Sequence, residues 1–225
     1  MTGAPRPVVC LVTDRHRVAP GASAAAAIDA LERLLGEAID AGVDLIQVRE
    51  RDLDAGDLCR LVRRLVERAR GTAARILVND RADVALAAGA GGVHLRADSF
   101  PAARVRTLSP TWIIGRSVHA GDSAVDEAGV DYVLFGTLFP TTSKPGAAPA
   151  GVEALSAFAA ASSRPVLAIG GVTPAGAREC RRAGAAGIAA IGAFLPAGSA
   201  PGALGPRAAV LAFRDALSAP AGLLK

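Results

Sequence analysis

The feature that most constrains this chain is a repeat: short β-branched runs return eight times, each followed by a stretch of helical character. The runs are PVVCLVT (7–13), DLIQVR (44–49), RILVN (75–79), GGVHL (91–95), WIIGRS (112–117), DYVLFG (131–136), PVLAIGG (165–171) and GIAAIG (187–192). Between them apolar residues recur at helical spacing, as Leu31, Leu34, Leu35 and Ala38 do, or Leu58, Leu61, Val62 and Leu65. Such spacing gives a helix one face for a core. The segments AGVDLIQV, AGAGGVHL, AGVDYVLF and AGAAGIAA share one form, a helix end with a glycine stop and then a strand. Eight β-then-α units predict the α/β class and a single (β/α)8 TIM barrel over residues 1–225, closed by a last helix near Gly205–Leu217.

Composition narrows what such a barrel can do. Hydrophobic residues are 51% of the chain but aromatics only 4%, so the core must be Val, Ile, Leu and Ala, as in buried parallel strands flanked by helices. The formal charge is +4, yet the arginines are dispersed among acidic neighbours, as in LVRRLVERARG. Without a basic arm or a stacking platform, a nucleic-acid partner is not expected, and a small anion accounts for the excess. Cys10, Cys59 and Cys180 are far apart, odd in number and lack metal-site spacing, so they read as reduced thiols. No apolar run approaches a membrane span. A cytoplasmic protein without a membrane partner is expected, and a homo-oligomer is compatible with the sequence.

Barrel chemistry sits at the C-terminal strand ends, where the βα loops converge. Polar residues there are Asp14 and Arg15; Gln47, Arg49 and Arg51; Asn79 and Asp80; His94; Ser117 and His119; and Thr141, Ser143 and Lys144. Strand alternation puts Gln47, Arg49 and Arg51 on one side and Glu50 on the other. Inward arginines need either a salt bridge, here to Asp80 or Asp14, or an anionic ligand. Asp80 fits an N-cap before the next helix, or a Mg2+ ligand beside a diphosphate. His94 reads as a hydrogen-bonded barrel residue. The stretch FGTLFPTTSKPG turns from strand to hydroxyl-rich loop and carries Lys144, one of only two lysines among 25 basic residues. It makes either a solvated turn or an anion-binding loop. Gly170 and Gly171 after the seventh run and Gly192 after the eighth are placed where barrels bind phosphate through backbone N–H groups; the alternative is that they make tight turns.

Taken together, LVTDR, QVRER, VNDRADVALAAGAGGVHL, IIGRSVHA, FGTLFPTTSKPG, VLAIGGVTP and AGAAGIAAIGAF resemble the thiamine phosphate synthase family with its TenI-type relatives, over nearly the whole chain. The resemblance implies a Mg2+-dependent barrel that joins hydroxymethylpyrimidine diphosphate to thiazole phosphate, releasing pyrophosphate. By position it implies a pyrimidine-diphosphate site of Gln47, Arg49, Asn79 and Lys144, with Arg51 where the family has lysine. It makes Asp80 a metal ligand and sets Ser117, Thr141 and Ser143 around the diphosphate and thiazole. Gly171, Ile191 and Gly192 fall on the thiazole-phosphate loops, and catalytic roles fall to Arg49, Lys144 and Ser117. Two positions depart from it. Ser99 stands where the synthase takes its second metal-binding aspartate, with Asp98 one residue early, and Thr137 stands where the TenI tautomerase has its histidine. A thiazole phosphate tautomerase and a non-catalytic binder of thiamine precursors are therefore the alternatives.

Overall fold

Eight parallel strands close on themselves in chain order: β1 (Val8–Val12), β2 (Leu45–Val48), β3 (Arg75–Asn79), β4 (Gly92–Leu95), β5 (Ile113–Val118), β6 (Tyr132–Phe135), β7 (Val166–Ile169) and β8 (Gly187–Ala190). The ring is completed by β8 lying beside β1, with Cys10 opposite Ala189. This computed structural model describes residues 6–122, 128–142, 146 and 148–218. Around the barrel run α1 (Arg15–Val18), α2 (Ala24–Asp40), α3 (Ala55–Arg68), α4 (Ala82–Ala88), α5 (Ala102–Arg106), α6 (Gly151–Ala161), α7 (Pro174–Arg182) and α8 (Pro206–Ser218). The eight strands and the closing helix stand within a residue or two of their sequence-based positions. The β5–β6 connection carries no helix among the described residues.

Alternation along the strands builds two cores. Val9, Leu11, Ile46, Val48, Ile76, Val78, Val93, Ile114, Val133 and Phe135 face outward and pack with the helices. Cys10, Val12, Leu45, Leu77, Tyr132, Leu134, Leu167 and Ala189 face inward and fill the barrel. Burial inside that second core pushes the Cys10 thiol up to about 12, so it is an inert filler. All three cysteines are free.

Helix starts follow local chemistry. Ser23, Asp54 and Thr173 cap α2, α3 and α7 by accepting from Ala26, Asp57 and Gly176 N–H groups. At the N-terminal face of the barrel the charges are paired. Asp44 accepts from the Val9 N–H at 2.7 Å and pairs with Arg214 at 2.6 Å. Arg214 also donates to the Pro7 and Gly42 carbonyls. No described helix is long and apolar enough to cross a membrane.

Candidate active site

The C-terminal strand ends surround a cavity of about 750 Å³. Gln47, Arg49, Arg51, Asn79, Ser117, His119, Thr141, Gly170, Gly171, Ile191 and Gly192 all line it. Ser143 and Lys144 lie outside the described residues. Asp14, Arg15, Asp80 and His94 are not part of the lining.

Arg15 and Asp14 are therefore corrections to the strand-end set. Asp14 caps α1, accepting from the Arg17 N–H. Arg15, only 4% exposed, forms an ion pair with buried Glu50 at 3.0 Å and a bidentate one with Asp52. That guanidinium holds the Asp52 carboxyl well below the usual carboxylate range. Glu50 also accepts from the Thr13 hydroxyl at 2.5 Å, and Thr13 Oγ1 in turn accepts from the Arg49 N–H at 2.8 Å. This buried cluster fixes the backbone on both sides of Arg49, and alternation then aims Arg49 and Arg51 into the cavity. Among the described residues neither arginine makes an ion pair or a side-chain hydrogen bond. The salt-bridge alternative is thus not what the fold uses. Burial, reinforced by Arg51, depresses the pKa of half-buried Arg49. A desolvated cation without a protein partner is a site prepared for an anion.

Next to these charges Gln47 is 2% exposed, and its Nε2 donates to Asn79 Oδ1 at 2.9 Å. Its Oε1 has no partner among the described residues, a buried acceptor at the cavity wall that a ligand donor would satisfy.

Asp80 does not cap α4. The chain turns at Asp80 in the left-handed region, φ 61, which aspartate tolerates, and Arg81 takes the cap position without a side-chain bond. The Asp80 carboxylate accepts from the Ser99 hydroxyl and lies 3.7 Å from the Arg96 guanidinium. Among the described residues no three His, Cys, Asp or Glu side chains are placed to hold a metal ion together. One carboxylate and one hydroxyl do not make a cage for a resident ion; Mg2+ is commonly held by one or two carboxylates together with substrate oxygens, so any metal here would have to arrive with its ligand.

Two lining arginines went unremarked in the sequence. Arg17 donates to Thr142 Oγ1 at 3.1 Å, and its Nη2 is 3.6 Å from where a Cβ on Gly192 would stand. Arg96 pairs with Asp98 at 2.8 Å on a β4–α5 loop anchored by Arg116, which donates to the Arg96 and Phe100 carbonyls. Thr137 borders the cavity beside Gly136 and Gly170. Periodicity could not have found Arg17 or Arg96, because Arg17 lies in the four-residue helix α1, too short to show a repeat, and Arg96 is the first residue past β4. A Cβ on Gly171 would come within 2.4 Å of the Pro140 carbonyl, at a φ of 65. That glycine therefore lets the β7 loop press against Phe139 and Pro140.

His94 is 1% exposed and hydrogen-bonds Tyr132 and Ser117, as a barrel residue should. Burial first, then Arg116 and Arg49, hold its pKa down to about 3, so the ring is neutral. His119 is exposed, 3.8 Å from Asp122.

Residues 9–194 match the family model described as thiamine monophosphate synthase. The chain is 40% identical over 197 residues to the thiamine-phosphate synthase of Chlorobium luteolum, covering 86% of this chain and 87% of that one. It is 40% identical over 194 residues to that of Roseiflexus sp., covering 84% and 79%. Among solved structures, thiamine phosphate pyrophosphorylase from Pyrococcus furiosus superposes with a TM-score of 0.74 at 30% identity, covering 94% and 96%. A 3-hexulose-6-phosphate synthase structure at 18% identity, TM-score 0.65, shares the fold.

Proposed function

Since this chain belongs to the thiamine monophosphate synthase family, we propose that it is a transferase of thiamine biosynthesis acting in the cytoplasm. It joins hydroxymethylpyrimidine diphosphate to thiazole phosphate, giving thiamine phosphate and pyrophosphate. The observation that carries this reading is the charge of the mouth: Arg17, Arg49, Arg51 and Arg96 line one cavity whose only lining carboxylate among the described residues is Asp98. A diphosphate and a second phosphate are the anions such density matches.

In the reaction the C–O bond between the pyrimidine methylene and the diphosphate breaks, and the electron pair leaves with the diphosphate. Arg49 and Arg51, which line the cavity without ion pairs among the described residues, face that growing negative charge. The thiazole nitrogen then forms the new C–N bond with the methylene carbon. Gly171, Ile191 and Gly192, with Arg17 beside them, form the part of the mouth assigned to the thiazole phosphate. Gln47 and Asn79 border the assigned pyrimidine-diphosphate side, where the open Oε1 of Gln47 suits a ligand N–H donor. Thr141 belongs to the loop assigned to the diphosphate, and Ser143 and Lys144 join it on the strength of sequence alone. Mg2+, held by Asp80 and Ser99, would supply neutralising charge on the diphosphate. Incubating the purified protein with both substrates and Mg2+ is expected to yield thiamine phosphate and pyrophosphate; no product above a heat-killed control would overturn the reading.

A tautomerase of thiazole phosphate is favoured by one observation, His119 on the cavity wall. Thr137 itself has no useful pKa for such work. Metal-independent tautomer conversion that is lost in His119→Ala would select this second reading, and binding without either turnover would select a non-catalytic one.

A further inference from the structure

Three residues form one row across three adjacent strands: His94 on β4 is opposite Gly115 on β5, and Gly115 is opposite Tyr132 on β6. A Cβ on Gly115 would lie 2.3 Å from Tyr132 Cζ and 2.5 Å from both the Tyr132 hydroxyl and His94 Nδ1. The missing side chain is what lets the phenol cross the middle strand and reach the imidazole. The contact is 3.0 Å from the hydroxyl to Nδ1, and on the far side of the ring Nε2 lies 2.9 Å from Ser117 Oγ. Tyr132 and His94 are buried, while Ser117 borders the cavity.

Counting protons gives this row a direction. Among the described residues His94 Nδ1 is the only hydrogen-bond partner of the Tyr132 hydroxyl. Were Nδ1 protonated it would donate to the phenol oxygen, and the buried phenol O–H would have no acceptor, which is the costly case. With the phenol donating to Nδ1, the ring carries its proton on Nε2 and donates it to Ser117 Oγ. The serine proton then has the cavity to turn to. We propose that Tyr132, Gly115 and His94 are a proton-ordering row that makes Ser117 a hydrogen-bond donor toward the ligand, selecting an acceptor atom at that point of the substrate. Tyr132 and His94 are positioning residues that act through Ser117. Although it touches the serine, His94 cannot serve as its base, since the nitrogen facing Ser117 already holds a proton. Burial and the neighbouring arginines keep the ring neutral, so the order persists across the working pH range.

The direction of the row is a property of the folded chain; only the identity of the acceptor rests on the proposed reaction. The chain has three histidines, so nitrogen-15 NMR of histidine-labelled protein, assigned with His94→Gln, reads the tautomer directly. At neutral pH the wild type is expected to show His94 protonated on Nε2, with Nδ1 as acceptor, and Tyr132→Phe is expected to lose that single tautomer. Ligand binding is then measured with two probes, pyrophosphate and the unphosphorylated hydroxymethylpyrimidine. Tyr132→Phe and Ser117→Ala should each weaken one probe about tenfold, with the double variant no weaker than Ser117→Ala, because they act as one unit. Weakened pyrophosphate makes the acceptor a phosphate oxygen, and weakened pyrimidine makes it a ring nitrogen. A wild-type ring protonated on Nδ1, or neither probe affected, overturns the proposal. An inactive wild type with the expected tautomer would sink the reaction and leave the row standing.

Discussion

Arg15 and Arg49 are separated by the company they keep. Arg15 is ion-paired with Glu50 and Asp52, whereas Arg49 makes no ion pair among the described residues. In sequence both were strand-end cations, and nothing in the pattern distinguished a cation for stability from one for a ligand. Alternation did sort Gln47, Arg49 and Arg51 from Glu50, because side-chain direction in a strand follows from position alone. Lys144 is the sharpest sequence-based assignment that lies beyond the described residues. Lys144→Ala is expected to melt like wild type and to lose about 10² in turnover, the scale of removing one preorganised donor. Unchanged turnover in steady-state assays would make its loop an ordinary turn. His94 gives a pH prediction. Its pKa falls from 6.5 in the unfolded chain to about 3 in the fold, so between those values the unfolded state binds one more proton. Stability from this group is complete above pH 6.5 and drains at about 1.4 kcal/mol per pH unit as pH falls toward 3. Urea midpoints from pH 4 to 7 should therefore drop more steeply for wild type than for His94→Gln.

Among the elements, strands were more legible than helix starts and loops. β-Branched runs with glycine stops mark a parallel strand wherever it lies, which is why all eight were readable. Of the two alternatives the sequence left for Asp80, the N-cap is the one the fold does not use. A left-handed turn at Asp80 moves the cap to Arg81, and a single residue type does not announce that turn. The junction of β1 and β2 carries the most local chemistry, since Glu50 ties Thr13 and Arg15 to the strand that presents Arg49. Removing one partner of a buried ion pair leaves the other uncompensated. Glu50→Gln is expected to cost about 3 kcal/mol in urea unfolding and to lower activity in the fraction that remains folded. A loss under about 1 kcal/mol would mean that Asp52 alone satisfies Arg15.

Seen whole, the barrel has two unlike ends. At the N-terminal end Asp44 and Arg214 are matched to each other and to backbone groups. At the other end two arginines wait without partners among the described residues. An anion that fills the mouth should therefore stabilise the entire molecule, by about 2.7 kcal/mol at a hundred times its dissociation constant. Pyrophosphate is expected to raise the melting temperature by several degrees in differential scanning calorimetry, with the shift shrinking in high salt and nearly absent in Arg49→Met. A shift that survives Arg49→Met would move the anion site elsewhere. Guanidiniums with no partner before the substrate arrives have none after the reaction either, save the ion just released. The same open charges that loosen the leaving group will then be slow to let it go. Once every site is filled, the pace of such a barrel is expected to be set by the departure of an ion, with a first turnover that outruns the later ones as a burst in rapid-mixing assays.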